Sequence, residues 1–398
     1  VVGCGTMGVG IAMNFANAGI PVTVLETKDE FLQKGLGVIR KNYAASVAKG
    51  RISQDEMDGR MSLISGIADF NQLGEPDVVI EAVFEKMDVK KQLFNELDGL
   101  MPAKTILATN TSTLDVNEIA SATGRPEKVI GTHFFSPANV MRLQENVRGY
   151  KTSDETISTI MALAKKLGKV GVLVGVCDGF VGNRMLHAYT RQANFLLEEG
   201  ALPQEVDKAI FNFGFPMGPF AMGDLAGLDV GWLIRKARNK DKPNNLRYSP
   251  IADRICEKGR FGQKTSAGWY LYKEGSRAPV PDPEIEQLIL DVSEELGFDR
   301  RAIGEQEIVE RCIYTMINEG AKILTEGISQ RPGDIDTVWL HGYGFPRQRG
   351  GPMFYADSVG LKQVYDVIST LYDKYGDWLE PAPLLRELAE AGKGFGDL

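Results

Sequence analysis

An α/β doubly wound domain followed by a duplicated all-α domain is the fold class the sequence predicts, on three observations. Residues 1–177 alternate short β-branched runs with helix-patterned stretches. Beyond about residue 178 the strand signals fade. One helical stretch then recurs at an offset of 130 residues, from Gly214 to Gly344. Alternating strands and helices imply a parallel sheet covered on both faces.

The individual elements follow in order. "PVTVLE" (21–26), "DVVIEAV" (77–83), "TILATN" (105–110) and "KVIGTHFF" (128–135) lack clean polar alternation, as strands buried on both faces do. Between them, "MGVGIAMNFANA", "KMDVKKQLFNELDGL" and "VNEIASATG" read as helices. The long charged stretch 28–60 predicts an inserted helical hairpin. From "GFVGNRMLHAYTRQANFLLEEGA" onward the chain is helical, and residues 198–229 resemble residues 325–361, sharing Gly-Phe-Pro at 214–216 and 344–346. Two copies imply a duplicated domain rather than a solenoid. The connector "KEGSRAPVPDPEIEQ" (273–287) carries three prolines and reads as ordered. The expected domains are 1–177, 178–277 and 278–398.

Composition narrows the function classes. At 398 residues the chain suggests two or three domains, and 43% apolar with 25% charged residues is the balance of a globular protein with a real core. A net charge of −8, with basic residues scattered, argues against a nucleic-acid partner or an anionic membrane surface. The longest apolar runs, such as "VGVLVGV" (170–176), are too short to span a bilayer. Cys4, Cys177, Cys256 and Cys312 show no CxxC pairing, which speaks against a metal site or a disulfide framework and for a reducing compartment. The chain opens on "VVGCGTMG" without Met, so Val1 and Val2 are expected to be the last residues of a strand whose parent continues upstream.

"GCGTMG" (Gly3, Cys4, Gly5, Thr6, Met7, Gly8) matches GxGxxG between a strand end and a helix start. Glycines let the backbone approach a pyrophosphate, and the helix N-terminus supplies unpaired N–H groups. Glu26 ends the next strand, 18 residues after Gly8, where a carboxylate accepts ribose hydroxyls and repels a 2′-phosphate. This is a Rossmann-type dinucleotide site selecting NAD. Without a ligand the same loop would be only a tight βα turn.

Ligands of such sheets bind outside the carboxyl ends of the strands. Three ends deliver polar groups there: Glu85 with Lys90 on the following helix, Asn110 with Ser112, and His133. Singly, Glu85 could be a helix-start carboxylate, Ser112 an N-cap, and His133 a satisfied core histidine. An alcohol dehydrogenation needs a base for the hydroxyl proton while hydride leaves carbon. A neutral imidazole suits that task, and a buried carboxylate can fix its tautomer. Glu145 is the candidate carboxylate; its other reading is a surface glutamate on a strand, and spacing leaves both open.

"GCGTMG", "IEAVFEKMDVKKQLF", "TNTSTL", "GTHFFSPANVMRLQE", "GFVGNRM", "GFPMGPFAMGDLAGLD" and "GQKTSAGWYLY" together resemble the L-3-hydroxyacyl-CoA dehydrogenase family, over essentially the whole chain. The duplicated helical domain is similar to the dehydrogenase half of multifunctional fatty-acid β-oxidation enzymes. The resemblance implies NAD-dependent oxidation of (3S)-3-hydroxyacyl-CoA to 3-oxoacyl-CoA, with His133 as base, Glu145 as its partner, and Ser112 and Asn183 holding the substrate oxygen. It places Glu26, Glu85 and Lys90 in the cofactor site, Lys49 against the CoA moiety, and Lys273 near the cofactor. Ser136 is implied to contact substrate, although monofunctional members carry Asn there. Gln144 and Asn146 stand where the family has aliphatic residues, and such neighbours are expected to wet the strand around Glu145.

The resemblance further implies an acyl-CoA substrate and a fused enoyl-CoA hydratase/isomerase domain upstream. It implies a monomer for this fragment, because the second helical copy would take a dimer partner's place. The compartment is expected to be bacterial cytoplasm, with peroxisome as the alternative. Two other functions stay open: a same-fold dehydrogenase of a CoA-free hydroxy acid, and a retired, crystallin-like structural protein.

Overall fold

The computed structural model describes residues 1–238 and 246–398. The chain divides into two compact units, Val1–Asn183 with Glu326–Tyr343, and Arg184–Thr325 with Gly344–Leu398.

The first unit is built on strands β1 (Val22–Leu25), β2 (Ile64–Ile67), β3 (Val78–Glu81), β4 (Ile106–Thr109), β5 (Val129–Phe134), β6 (Leu143–Arg148) and β7 (Val170–Gly175). Val2 pairs with both Leu25 and Glu81 and so joins β1 to β3. Its N–H donates to Ile80 O at 2.9 Å, and its carbonyl accepts from Ala82 N at 2.8 Å. The order is therefore β2–β1–Val2–β3–β4–β5–β6–β7.

All neighbours are parallel except β5 and β6, which run antiparallel. That one reversal departs from the all-parallel expectation, and it carries the site. Residues 135–142 form the whole connection between β5 and β6, too short for the helical crossover that a parallel pair needs.

Helices α1 (Thr6–Asn17), α2 (Asp29–Ala48), α3 (Gln54–Ser62), α4 (Met87–Leu100), α5 (Val116–Ala120) and α6 (Asp154–Lys166) cover the two faces. Ile106 and Ala108 of β4 pack into one core with Ile11, Phe15 and Ile39, whereas Leu107 packs into the other with Leu93, Phe94 and Leu97. Successive residues of one strand thus serve opposite cores, which is why the runs read as continuously apolar. Burying a side chain such as Phe94 or Leu107 stabilises the unit by about 1.5–3 kcal/mol.

The predicted hairpin insertion is α2 and α3, the latter started by a Ser53–Glu56 capping box. Helix α7 (Gly182–Glu199) begins in this unit, and helix Pro332–Gly342 of the second repeat copy is part of it.

The second unit is helical. Its two Gly-Phe-Pro turns face each other reciprocally: a Cβ on Gly214 would lie 3.0 Å from Pro346, and one on Gly344 would lie 3.1 Å from Pro216. Phe213, Phe215, Phe345 and Tyr355 close an aromatic cluster there, with the Arg349 guanidinium 4.0 Å over Phe213. The proline-rich connector is ordered: Val280 pairs with Leu271, and Asp282 caps the helix Pro283–Glu295. Among the described residues no helix is long and apolar enough to cross a membrane.

Candidate active site

The glycine loop has the shape a pyrophosphate needs. Gly3 sits at φ +96°, and a Cβ there would come within 2.7 Å of Ala82 O. A Cβ on Gly8 would strike Gly3 O, so that glycine permits helix α1 to pack on the strand end. Gly5, by contrast, has nothing within 4 Å of its missing Cβ. Gly5 is also the N-cap of α1, with no side-chain cap and no acid in the first turn, so the amides of Thr6 and Met7 are left for an anion.

Beside this loop lies a cleft of about 250 Å³ lined by Gly3, Glu26, Thr27, Phe70, Val83 and Gln92. Glu26 is half-buried and steadied by Cys4 N at 3.3 Å and Lys28 N at 3.4 Å. Lys28 itself is exposed over Phe31. The open loop, the uncapped helix and the carboxylate in the cleft fit a dinucleotide.

Past β3, Glu85 Oε1 accepts the Thr111 hydroxyl and the Ser112 N–H, each at 2.7 Å, and the Ser112 hydroxyl at 3.2 Å. Lys90 is buried beneath it, 2.7 Å from Glu81 Oε1 and 3.2 Å from Glu85 Oε2. Glu81 also accepts the Thr109 hydroxyl. Burial pushes the Glu85 carboxyl up, but the Lys90 charge and the bonds from Thr111 and Ser112 more than offset it, leaving it below the ordinary range. Asn110 Oδ1 accepts Phe134 N–H at 2.9 Å, tying the end of β4 to β5 one residue past His133.

The β5–β6 register sets His133 directly opposite Glu145. Their side chains share a face, and His133 Nδ1 lies 2.8 Å from Glu145 Oε2. The other carboxylate oxygen accepts Gly182 N–H, at the start of α7, at 3.0 Å. Glu145 is 0% exposed, so both its oxygens are committed inside the protein. With a carboxylate accepting from Nδ1–H, the His133 lone pair is at Nε2.

The ring is walled by Phe135 at 4.3 Å and Phe180 at 5.8 Å. Phe180 is buried at φ +50°, a strained conformation for a side-chain-bearing residue, beside the His133 ring. Asn183, next to Gly182, accepts the Tyr343 hydroxyl on Oδ1 at 2.9 Å. The loop from β5 to β6 is pinned through Ala138 O, which accepts Asn14 Nδ2 at 2.9 Å and the buried Lys169 ammonium.

The expected wetting of this strand does not occur. Gln144 and Asn146 are buried on the opposite face of β6, where Gln144 Nε2 donates to Asn146 Oδ1 at 2.8 Å. Strand alternation turns them away from Glu145, and the carboxylate stays dry. Ser136 is exposed on the loop after β5, and Lys49 is exposed at the C-cap of α2. Lys273 is exposed in the second unit.

Gly182, Phe180 and Tyr343 went unnamed in the sequence reading. For Gly182 the quoted "GFVGNRM" held the signal. For Tyr343 it was the repeat itself, where the first copy has Phe213 at the corresponding place.

Residues 1–177 match the family model described as 3-hydroxyacyl-CoA dehydrogenase, NAD binding domain, and residues 179–272 and 308–395 match its C-terminal domain. The chain belongs to the 3-hydroxyacyl-CoA dehydrogenase family. It is accordingly an NAD-dependent oxidoreductase, and its helical domain matches the same model twice. Among relatives, the peroxisomal bifunctional enzyme of Cavia porcellus is 48% identical over 98% of this chain and 56% of its own length. The glyoxysomal fatty acid β-oxidation multifunctional protein MFP-a of Brassica napus is 37% identical over 98% of this chain and 54% of its own. The chain therefore spans little more than half the length of such relatives.

Among solved structures, the dehydrogenase part of multifunctional enzyme 1 from C. elegans is 32% identical with a TM-score of 0.70, over 97% of this chain and 88% of that one. The 3-hydroxybutyryl-CoA dehydrogenase of Escherichia coli K12 has a TM-score of 0.86 at 25% identity, over 98% of both chains.

Proposed function

We propose that this 3-hydroxyacyl-CoA dehydrogenase chain interconverts (3S)-3-hydroxyacyl-CoA and 3-oxoacyl-CoA, with His133 as general base. NAD⁺, when bound, supplies the acceptor for the C3 hydride. His133 Nε2 takes the hydroxyl proton as the O–H bond breaks. The imidazolium so formed is met by the fully buried Glu145 carboxylate 2.8 Å from Nδ1. Ser112 Oγ and Asn183 Nδ2 hold the C3 oxygen. Glu85, fixed by Lys90, steadies Ser112 and lines the cofactor site with Glu26, Asn110, Gly3, Gly5, Thr6, Met7 and Gly8. Ser136 and Lys49, both exposed, are assigned to substrate contacts.

The observation that carries this reading is Glu145, fully buried, with one oxygen on His133 and the other on the Gly182 amide. A buried carboxylate held on Nδ1 leaves the His133 lone pair at Nε2, where a base needs it. The test is NADH oxidation with acetoacetyl-CoA beside free acetoacetate. Rapid NADH oxidation with the thioester alone is expected. NADH oxidation with both at similar rates would overturn CoA recognition, and silence with both while NADH binds would favour the CoA-free substrate or the retired scaffold.

The remaining length of the relatives, whose names are bifunctional or multifunctional, supports a second activity in the same polypeptide, the enoyl-CoA hydratase/isomerase that would feed this reaction. The same names support the peroxisome over the cytoplasm as the compartment. The chain's division is assigned as 1–177 for the cofactor, and 178–277 and 278–398 for the two helical copies. Because the two Gly-Phe-Pro turns satisfy each other within one chain, this 398-residue stretch, taken by itself, is expected to be a monomer. Sedimentation should give a mass near 43.7 kDa, and twice that value would refute the assignment.

A further inference from the structure

Tyr343 is the C-cap of helix Pro332–Gly342, in the second repeat copy, and it belongs to the unit that holds His133. Its hydroxyl donates to Asn183 Oδ1 at 2.9 Å. A carboxamide has one accepting and one donating end. With the oxygen taken, Nδ2 is the end left for a ligand. If the amide turned over, its carbonyl would meet the substrate oxygen lone pair to lone pair.

The phenol is held from three sides. It stands edge-on to Phe135 at 5.5 Å, stacks on Trp339 at 4.7 Å, and rests on Gly182, where a Cβ would fall 2.3 Å from the ring. Gly182 is also the residue whose N–H fixes Glu145, and Phe135 lies against the His133 ring. Tyr343 therefore touches the supports of both His133 and Asn183.

Burial and the adjacent Glu145 carboxylate keep the phenol far above its ordinary pKa, so it remains a donor. The first copy has Phe213 at the corresponding place, among Phe215, Phe345 and Tyr355, and so carries no hydroxyl there. The hydroxyl is peculiar to the copy that reaches the site.

We propose that Tyr343 is a positioning residue for the dehydrogenase reaction, holding the Asn183 carboxamide so that Nδ2 faces the reacting oxygen. This rests on the functional reading above. The test compares Tyr343→Phe in the wild-type and Asn183→Ala backgrounds. In the wild type, kcat with acetoacetyl-CoA should fall roughly five- to thirty-fold, the loss of about one hydrogen bond, with NADH affinity unchanged and the melting temperature lowered by only a few degrees. In Asn183→Ala the same change should cost less than about two-fold, because the partner is already gone.

Equal losses in both backgrounds, or none in the wild type, would overturn the proposal. A crystal structure of Tyr343→Phe adds a readout independent of turnover: a reoriented Asn183 amide supports it, and an unmoved one refutes it. A wild type inactive on every 3-oxoacyl-CoA would end the functional reading, while the Asn183 orientation would still decide whether Tyr343 sets that side chain.

Discussion

Replacing His133 with alanine should lower kcat with acetoacetyl-CoA by about 10²- to 10⁴-fold while leaving NADH affinity nearly unchanged. The residues proposed for the cofactor lie on the glycine loop and past β1, β3 and β4, so a change at β5 removes none of them. The proton, however, loses its acceptor at Nε2. Alanine also leaves one oxygen of a fully buried carboxylate unpaired, so some loss of stability accompanies the change.

His133→Gln separates the two effects. Its side-chain amide can still donate to Glu145 but cannot act as a base, so it should fold better than alanine and turn over no faster. Glu145→Gln makes the complementary point. A carboxamide can donate to Nδ1 as well as accept from it, so the preference that leaves the lone pair at Nε2 is lost, and kcat should fall although the ring stays in place. Turnover within two-fold of wild type in His133→Gln would remove His133 from the chemistry and leave it a packed core histidine.

The pairing behind that prediction was only half legible beforehand. The β-branched runs ending at Leu25, Glu81, Thr109 and Phe134 are strands because both their faces are buried, and that signature is local to each run. Their carboxyl ends accordingly pointed to Glu26, Glu85, Asn110 and His133. Glu145 was ambiguous for a different reason. A glutamate flanked by Gln144 and Asn146 reads as an exposed strand, and only the antiparallel step, which turns His133 and Glu145 to one face, identifies it as the buried residue.

The short connection 135–142 dictates antiparallel pairing only once β6 is known to be a buried strand, and a run as polar as Gln144–Asn146 gives no local sign of that. The same limit hid Tyr343, since sequence similarity between the two copies speaks of common shape and not of which copy meets the sheet. The Phe213-to-Tyr343 difference was visible, but a hydroxyl has meaning only once Asn183 lies 2.9 Å away.

The largest expected effect on stability lies beneath the cofactor site. Lys90→Met should destabilise the protein by about 3–5 kcal/mol, because it strands a buried carboxylate rather than because it removes an attraction. Glu81 is 0% exposed and Lys90 1%, and the ammonium lies 2.7 and 2.9 Å from the two Glu81 oxygens. Methionine fills the space of the lysine stem but leaves that charge with only the Thr109 hydroxyl and the Val83 N–H.

If the cost comes from the stranded charge, removing the charge should recover part of it. Glu81→Gln with Lys90→Met should be more stable than Lys90→Met alone, as measured by urea denaturation. A single mutant within about 1 kcal/mol of wild type, or a double mutant no better than the single, would mean that Glu81 is relieved by protonation or water instead. The two variants should also part in NADH binding. Both lose the ammonium that holds Glu85 at 3.2 Å, so both should bind NADH more weakly even where the double mutant has regained its stability.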